Sequence, residues 1–317
     1  MMIGSSDQLP VMNYLDLLWR DWGQAQLQES EQQQLALYQA LLFDIRLPRI
    51  LLTFLTGAAL SASGMVLQGV FRNPLVDSYV LGISSGAACG AALSITLGGL
   101  PLNLSAFLGG GLAVLLTYLV ATSVGKRSII SIVLGGMVIS GFFTAGLMII
   151  QYLSNPYKLQ VIVQWMMGNL HAASWTEMNR AYAPILGSLL LVYILRWRIN
   201  LLSLGDDAAA AVGVNPFWDK ALLISAATIM TSATVASAGI ISFYGLFLPH
   251  IVRMLMGADN RSGIPASMFL GGTLLLIIDD FSRVLFTFEL PIGIFTMVIG
   301  GGFFIYLMRK NSLNWQG

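Results

Sequence analysis

The chain has 317 residues, of which 56% are hydrophobic and only 10% are charged, and its mean hydropathy is +0.76. A soluble domain carries about 25% charged residues, so this composition excludes an ordinary soluble protein and indicates a membrane protein. The net charge of +1 gives no electrostatic reason to expect nucleic-acid binding.

The first 45 residues contain no apolar run of membrane-spanning length, and they hold six acidic residues against one arginine. They also lack the short apolar core and small-residue cleavage site of a secretory signal. We therefore interpret 1–45 as a polar segment outside the bilayer or at its interface. Residues 46–310 form a single predicted transmembrane domain, and 311–317 form a cytoplasmic tail.

Nine stretches are long and apolar enough to form membrane helices, since a bilayer core of ~30 Å needs about 20 apolar residues. They are residues 48–71, 77–97, 103–124, 129–153, 177–197, 218–237, 240–256, 263–283 and 291–308. Glycines and Pro101 predict a turn over residues 98–103, and Gly239 marks a break between two spans. The predicted fold is an all-α membrane protein, a polytopic helical bundle.

Lys and Arg residues indicate the orientation of this bundle, because they are retained on the cytoplasmic side. If the first span starts outside, the inner side holds ten Lys and Arg residues and the outer side holds six. This bias predicts a cytoplasmic C-terminus and an N-terminus outside.

Few side chains in the predicted spans could carry chemistry. Asp279 and Asp280 lie at the outer end of a span with Arg283 one helical turn away, so a local salt bridge or the proton site of a secondary carrier would fit them. His250 and Cys89 have no second His or Cys that would complete a metal site. No nucleophile–base pair for an intramembrane enzyme is evident. No phosphate-binding G-x-x-x-x-G-K-[ST] sequence occurs, so ATP would have to bind another chain.

Short motifs follow one another in a fixed order along the chain. They include Arg46-Leu-Pro-Arg49, Asn73-Pro-Leu75, Leu81-Gly-Ile-Ser-Ser-Gly86, Trp165-Met-Met-Gly168, Val212-Gly-Val214, the segment Gly239–His250 and Glu289-Leu-Pro-Ile-Gly293. Each motif alone is weak. The ordered series, from about Leu41 to Lys310, resembles the permease subunit of the iron-siderophore, haem and cobalamin ABC importers.

That resemblance implies a type II ABC importer permease fold of ten helices, paired as a homodimer around a central pore. Two ATPase subunits, which bind ATP and Mg²⁺, would dock on the cytoplasmic face, and an extracytoplasmic binding protein would deliver the substrate. The chain would then be a transport subunit without catalytic residues, cofactor or metal of its own, in a bacterial or archaeal cytoplasmic membrane. The implied substrate is a metal chelate, iron-siderophore foremost, with haem or cobalamin possible. A branch that imports molybdate or tungstate shares the motifs, and a proton-coupled carrier using Asp279 or Asp280 is the alternative of another class.

The chain departs from the family at its start, because the family has an apolar helix before the segment that matches residues 5–45. Either that helix is absent or the natural start lies upstream of Met1, and we expect an upstream start.

The resemblance also implies three sets of site residues. Arg46, Arg49 and Arg283 would form an outer surface that pairs with acidic residues of the binding protein, although anchoring to lipid phosphate would also explain them. The coupling loop that docks into the ATPase comprises Leu204, Gly205, Asp206, Asp207, Ala210 and Gly213.

We expect a short helix in this loop. Its two aspartates favour a helix N-terminus, and Gly213 suits its end. The family often has a basic residue where Ala210 and Ala211 stand, which leaves the polar part of that contact open.

Ser85, Ile129 and Ile130 align with the cytoplasmic gate of the family. Bulky apolar residues can close a pore by excluding water. Ile129 and Ile130 could equally face lipid.

Overall fold

A computed structural model describes residues 28–123, 129–168, 170–285 and 288–311, together with Tyr14, Asp16 and Trp19. Every regular element within these ranges is a helix, which confirms the predicted all-α class. The helices are α1 (Glu29–Gln39), α2 (Leu47–Phe71), α3 (Ile83–Leu97), α4 (Leu102–Ser123), α5 (Ile129–Leu153), α6 (Pro156–Met166), α7 (Trp175–Ser203), α8 (Asp206–Ala211), α9 (Pro216–Ala238), α10 (Tyr244–Met256), α11 (Asn260–Val284) and α12 (Ile292–Asn311).

Nine of these helices occupy the nine predicted spans. In the described part of the chain, seven helices are long and apolar enough to cross a membrane, and α3 and α10 are shorter apolar helices. The turn predicted at residues 98–103 is present, since Gly98 and Gly99 adopt positive φ between α3 and α4. The break predicted near Gly239 follows the last residue of α9. The protein is therefore a multi-pass helical membrane bundle.

Two of the predicted spans, 77–97 and 240–256, start later than expected. Their helices begin only at Ile83 and Tyr244, after Gly82 (φ 81°) and Phe243 (φ 64°) in left-handed conformations. A right-handed helix cannot continue through such residues. The Tyr79 and Ser242 hydroxyls lie 2.8 Å apart and join the two non-helical segments. Irregular backbone at membrane depth is tolerated where protein covers it, and Ser242 is buried.

The N-terminal part of the described chain is more helical than the sequence indicates. A single helix of 43 residues runs from Glu29 to Phe71, and it includes a π-helical stretch at Ala40–Arg46. The helix therefore passes through the predicted boundary at residue 46 without a break. Helix α6 also lies where no span was predicted, and the Asn155 side chain caps it by accepting a hydrogen bond of 2.9 Å from the Lys158 N–H.

Helix α2 is the centre of the bundle. It packs against α7, α9, α10 and α11, and almost all of its residues beyond Leu55 are buried. Glycines bring the backbones together: a Cβ on Gly57 would lie 2.3 Å from the Gly271 carbonyl oxygen, and one on Gly64 would lie 1.8 Å from that of Gly245. Such close approach is the main source of helix association in lipid.

The two ends of α2 carry polar groups. Its 25 residues extend about 37 Å at 1.5 Å per residue. Arg49 lies in the first turn, and Arg72 directly follows the last. We call the first the arginine end, which includes the end of α11 and the segment before α12. We call the other the α8 end, which includes α8 and the start of α9.

Candidate functional site

At the arginine end, two carboxylates from distant parts of the sequence hold Arg49. Its Nε and Nη2 donate to Asp279 at 3.1 and 2.9 Å, and its Nη1 donates to Glu289 at 3.0 Å. Only 12% of the Arg49 side chain and 3% of the Asp279 side chain are exposed. Three of the five guanidinium N–H donors are thus used within the chain.

Arg283 shares Asp279 with Arg49. Its Nη2 donates to Asp280, and its Nε lies 3.6 Å from the Asp279 carboxylate. This local ion pair is the salt bridge that the spacing of Asp279, Asp280 and Arg283 predicted. The second arginine on Asp279 was not predicted. It compensates a carboxylate that would be costly to bury alone.

Glu289 joins this network to a loop that the sequence did not single out. Its carboxylate contacts both Arg49 and His171. Burial raises the pKa of the Glu289 carboxyl, but the charges and hydrogen bonds of Arg49 and His171 outweigh burial and hold that pKa below its ordinary value. The motif that begins with Glu289 was visible in the sequence, but its partners were not.

The three arginines predicted to form a docking surface lie at one end of the molecule. Arg46 is close enough to Arg283 and Asp280 to interact electrostatically with both. The structure therefore brings together residues that are 230 or more positions apart, as Arg49 and Asp279 also show. Their role in docking stays a prediction.

The predicted short helix at the α8 end is confirmed. Asp206 begins α8 and binds Lys220 Nζ at 2.6 Å and Arg72 Nη2 at 3.3 Å. Gly213 adopts φ 85°, and its N–H donates to the Ala210 carbonyl at 3.0 Å. The glycine therefore ends the helix in the left-handed conformation that suits such a stop.

Much of this loop is exposed. Asp207, Ala210 and Gly213 face solvent, and Gly205 is half-buried. Large apolar side chains project beside them: Leu204 is 72% exposed and Val212 is 62% exposed. An exposed helix flanked by apolar side chains is suited to packing against another protein.

The predicted gate residues lie on two helices that pack against each other, α3 and α5. The Ser85 hydroxyl donates to the Gly82 carbonyl at 3.0 Å, and Ile130 is 70% exposed. Ile129 begins α5, but its side chain lies outside the described residues, as do Lys126 and Arg127. The gate assignment stays a prediction.

His250 has a structural environment. Its Nδ1 lies 3.1 Å from the Leu246 carbonyl oxygen, and its ring packs against Phe303 and Phe304. Within the described residues, no group of three or more His, Cys, Asp or Glu side chains could hold a metal ion.

Fold and sites together define a polytopic helical membrane protein with a polar surface at each end. The FecCD transport family matches residues 1–310. An iron chelatin transport system permease protein of Helicobacter pylori is 36% identical over 278 residues, 88% of this chain and 85% of that protein. A molybdate import system permease protein of Haemophilus influenzae is 38% identical over 284 residues, 87% of this chain and 84% of that protein.

A solved metal-chelate type ABC transporter in an inward-facing conformation shares the fold, with a TM-score of 0.82 and 34% identity. The match covers 95% of this chain and 97% of that one. The chain belongs to the FecCD transport family. It is a multi-pass permease, a transport component of the ABC importer class.

Proposed function

We propose that this chain forms the translocation pathway of a binding-protein-dependent ABC importer for a metal chelate, iron-siderophore foremost. The observation that carries the proposal is the continuous family match over residues 1–310. The iron chelatin permease supports the chelate, whereas the molybdate permease makes an oxyanion the second candidate.

A proton-coupled carrier is the weaker alternative. Such a carrier would need an ionisable side chain that can exchange a proton within the membrane. Asp279 lies between Arg49 and Arg283, and Asp280 also contacts Arg283. Both carboxylates are therefore already engaged in ion pairs with arginines of the same chain.

We propose that the subunit works as a homodimer through α5 and α12. Within an apolar stretch of 18 residues in each of these helices, only 22% of the residues are buried. In the corresponding stretch of the helix that contains α2, 78% of the residues are buried. Exposed apolar helices in a membrane protein must meet lipid or another subunit. A pore between two copies would be lined by such helices, in line with the predicted gate at Ser85, Ile129 and Ile130.

The two ends of α2 would bind the other partners. An ATPase subunit, which holds ATP and Mg²⁺, would pack on α8 through Leu204 and Val212, at the cytoplasmic face. The binding protein would dock at the arginine end, outside the cell. This orientation places the C-terminus of the chain in the cytoplasm, in agreement with the predicted distribution of Lys and Arg.

The test is reconstitution of the permease with its ATPase and binding-protein subunits in proteoliposomes. We expect uptake of the ligand identified on the binding protein by mass spectrometry, only when ATP is supplied on the α8 side. Uptake driven by a proton gradient without an ATPase subunit would contradict the proposal. If the ligand on the binding protein is an oxyanion, the importer proposal stands, and the proposed substrate changes from a metal chelate to that oxyanion.

A further inference from the structure

The arginine end is electrically balanced, although its sequence suggests a positive docking surface. Arg46, Arg49 and Arg283 contribute +3, and Asp279, Asp280 and Glu289 contribute −3, so their formal charges sum to zero. An approaching acidic partner would meet Arg49 and Arg283, which already have carboxylate partners within the chain.

The three carboxylates of this network differ in burial. The Asp279 side chain is 3% exposed and contacts both Arg49 and Arg283. Asp280 and Glu289 lie at the rim, where their side chains are 37% and 28% exposed. Opening a buried pair leaves an uncompensated charge in the protein. Rim carboxylates can return to water, and exposed ion pairs contribute little net stability.

We propose that Asp280 and Glu289 are exchangeable internal partners of the docking arginines. A carboxylate of the binding protein replaces Asp280 as the ion-pair partner of Arg283, or Glu289 as that of Arg49. Asp279 meanwhile keeps its contacts with both guanidinium groups. This inference rests on the proposed function, because it assigns a mechanism to the docking of the binding protein.

The exchange would also reach α12. Glu289 contacts His171, and Leu290 N donates to the Ser282 carbonyl at 3.4 Å. Four residues after Glu289, the Gly293 N–H donates to the Met167 carbonyl at 3.1 Å, next to the first residue of α12. Release of Glu289 therefore loosens the segment that leads into α12, the helix proposed to line the dimer axis.

Exchange has a measurable electrostatic signature. One ion pair replaces another, so the affinity of the wild-type permease for the binding protein depends only weakly on salt. In Glu289→Gln or Asp280→Asn, one arginine loses its rim partner but keeps Asp279, and the formal charge of the network rises from zero to +1. Each variant is expected to bind about two- to fivefold more tightly at low salt, the range that exposed ion pairs contribute. Its affinity should also fall more steeply with ionic strength.

The experiment titrates the purified binding protein onto the permease–ATPase complex in nanodiscs, at low and at high NaCl concentration. The control is Glu177→Gln, because the Glu177 carboxylate pairs with Arg180 at 2.9 Å and accepts a hydrogen bond from Asn103, rather than contacting the docking arginines. Helix α7 starts at this same end, since the Trp175 ring N–H donates to the Phe43 carbonyl. We expect the control to match the wild type in affinity and salt dependence.

A second measurement needs no partner. Phenylglyoxal labelling followed by mass spectrometry should modify Arg49 faster in Glu289→Gln, and Arg283 faster in Asp280→Asn, than in the wild type. Unfolding midpoints establish that the variants are folded. Unchanged labelling rates, or variants that bind no more tightly than the wild type, would overturn the exchange. Absence of binding by every version, including the control, would instead contradict the proposed function.

Discussion

Gly64 sets the distance between α2 and α10. A Cβ at this position would lie 1.8 Å from the Gly245 carbonyl oxygen, which is backbone and cannot rotate away. We expect Gly64→Ala to destabilise the protein by about 1–3 kcal/mol, the usual cost of overpacking, and to lower the unfolding midpoint in detergent. Gly187→Ala is the matched control, because nothing lies within 4 Å of its added Cβ. Equal midpoints for the two variants would contradict this account.

Through Glu289, the stability of the folded protein should depend on pH. The direction of this dependence follows from the pKa of the Glu289 carboxyl in the folded state. Although burial raises this pKa, Arg49 and His171 bring it below its ordinary value in the folded protein. A carboxyl of this kind stabilises the fold above the unfolded pKa of about 4.3, and that contribution is lost as the pH falls through the lower folded value. The unfolding midpoint of the wild type should therefore fall more on acidification below about pH 4 than that of Glu289→Gln. Parallel pH profiles would show that the ion pair contributes nothing.

The residues of this network show what the sequence can predict. The Asp280–Arg283 contact could be predicted because the partners are three positions apart on one helical face. The Arg49–Asp279 contact joins positions 230 residues apart. It depends on how α2 packs against α11, and a single sequence carries no information on that register. The common location of Arg46 and Arg283 on the outer side was predicted from the spans and the distribution of Lys and Arg, whereas their docking role came only from the family resemblance.

At the scale of elements, the carboxylate of Asp206 links α8 to the neighbouring helices through ion pairs. Asp206 binds Arg72 after α2 and Lys220 in α9. Both pairs are partly exposed, so Asp206→Asn should change the unfolding free energy by no more than about 1 kcal/mol. It should nevertheless reduce ATP hydrolysis stimulated by the binding protein, because α8 loses its fixed position.

A double variant separates this positioning role from a direct contact with the ATPase. If Asp206 acts through Lys220, then Asp206→Asn combined with Lys220→Gln should be no worse than the stronger single variant. The measurement is stimulated ATP hydrolysis in proteoliposomes. Additive losses would show that the two side chains act independently.

The helices themselves were largely predictable, because bilayer thickness fixes the length of an apolar span. The late starts of α3 and α10 were not. They depend on Gly82 and Phe243 and on the hydrogen bond between Tyr79 and Ser242, which forms only in the packed bundle. Helix α6 was missed because Lys158 and two glutamines interrupt its apolar pattern.

At the scale of the whole molecule, burial is distributed unevenly. In the helix that contains α2, 78% of the residues in its apolar 18-residue stretch are buried. The corresponding fractions in α4, α5 and α12 are 28%, 22% and 22%. All four helices are apolar, so composition does not distinguish a central helix from a peripheral one. Glycine content does not mark the central helix either, because α5 and α12 contain four glycines each and α2 contains three. The exposed faces of the peripheral helices would meet lipid or another subunit.

Cysteine cross-linking in membranes can tell these two environments apart. Cys89→Ser removes the only native cysteine, and single cysteines then replace Val298 or Ile305 on α12, which are 70% and 53% exposed. If α12 faces a second copy, oxidation should give covalent dimers at α12 positions on the facing side. Leu108→Cys and Leu112→Cys on α4 are matched controls at 57% and 47% exposure, and they should stay monomeric if α5 and α12 form the interface. Dimers from α4 and none from α12 would instead assign the interface to α4 and would contradict a pore lined by α12.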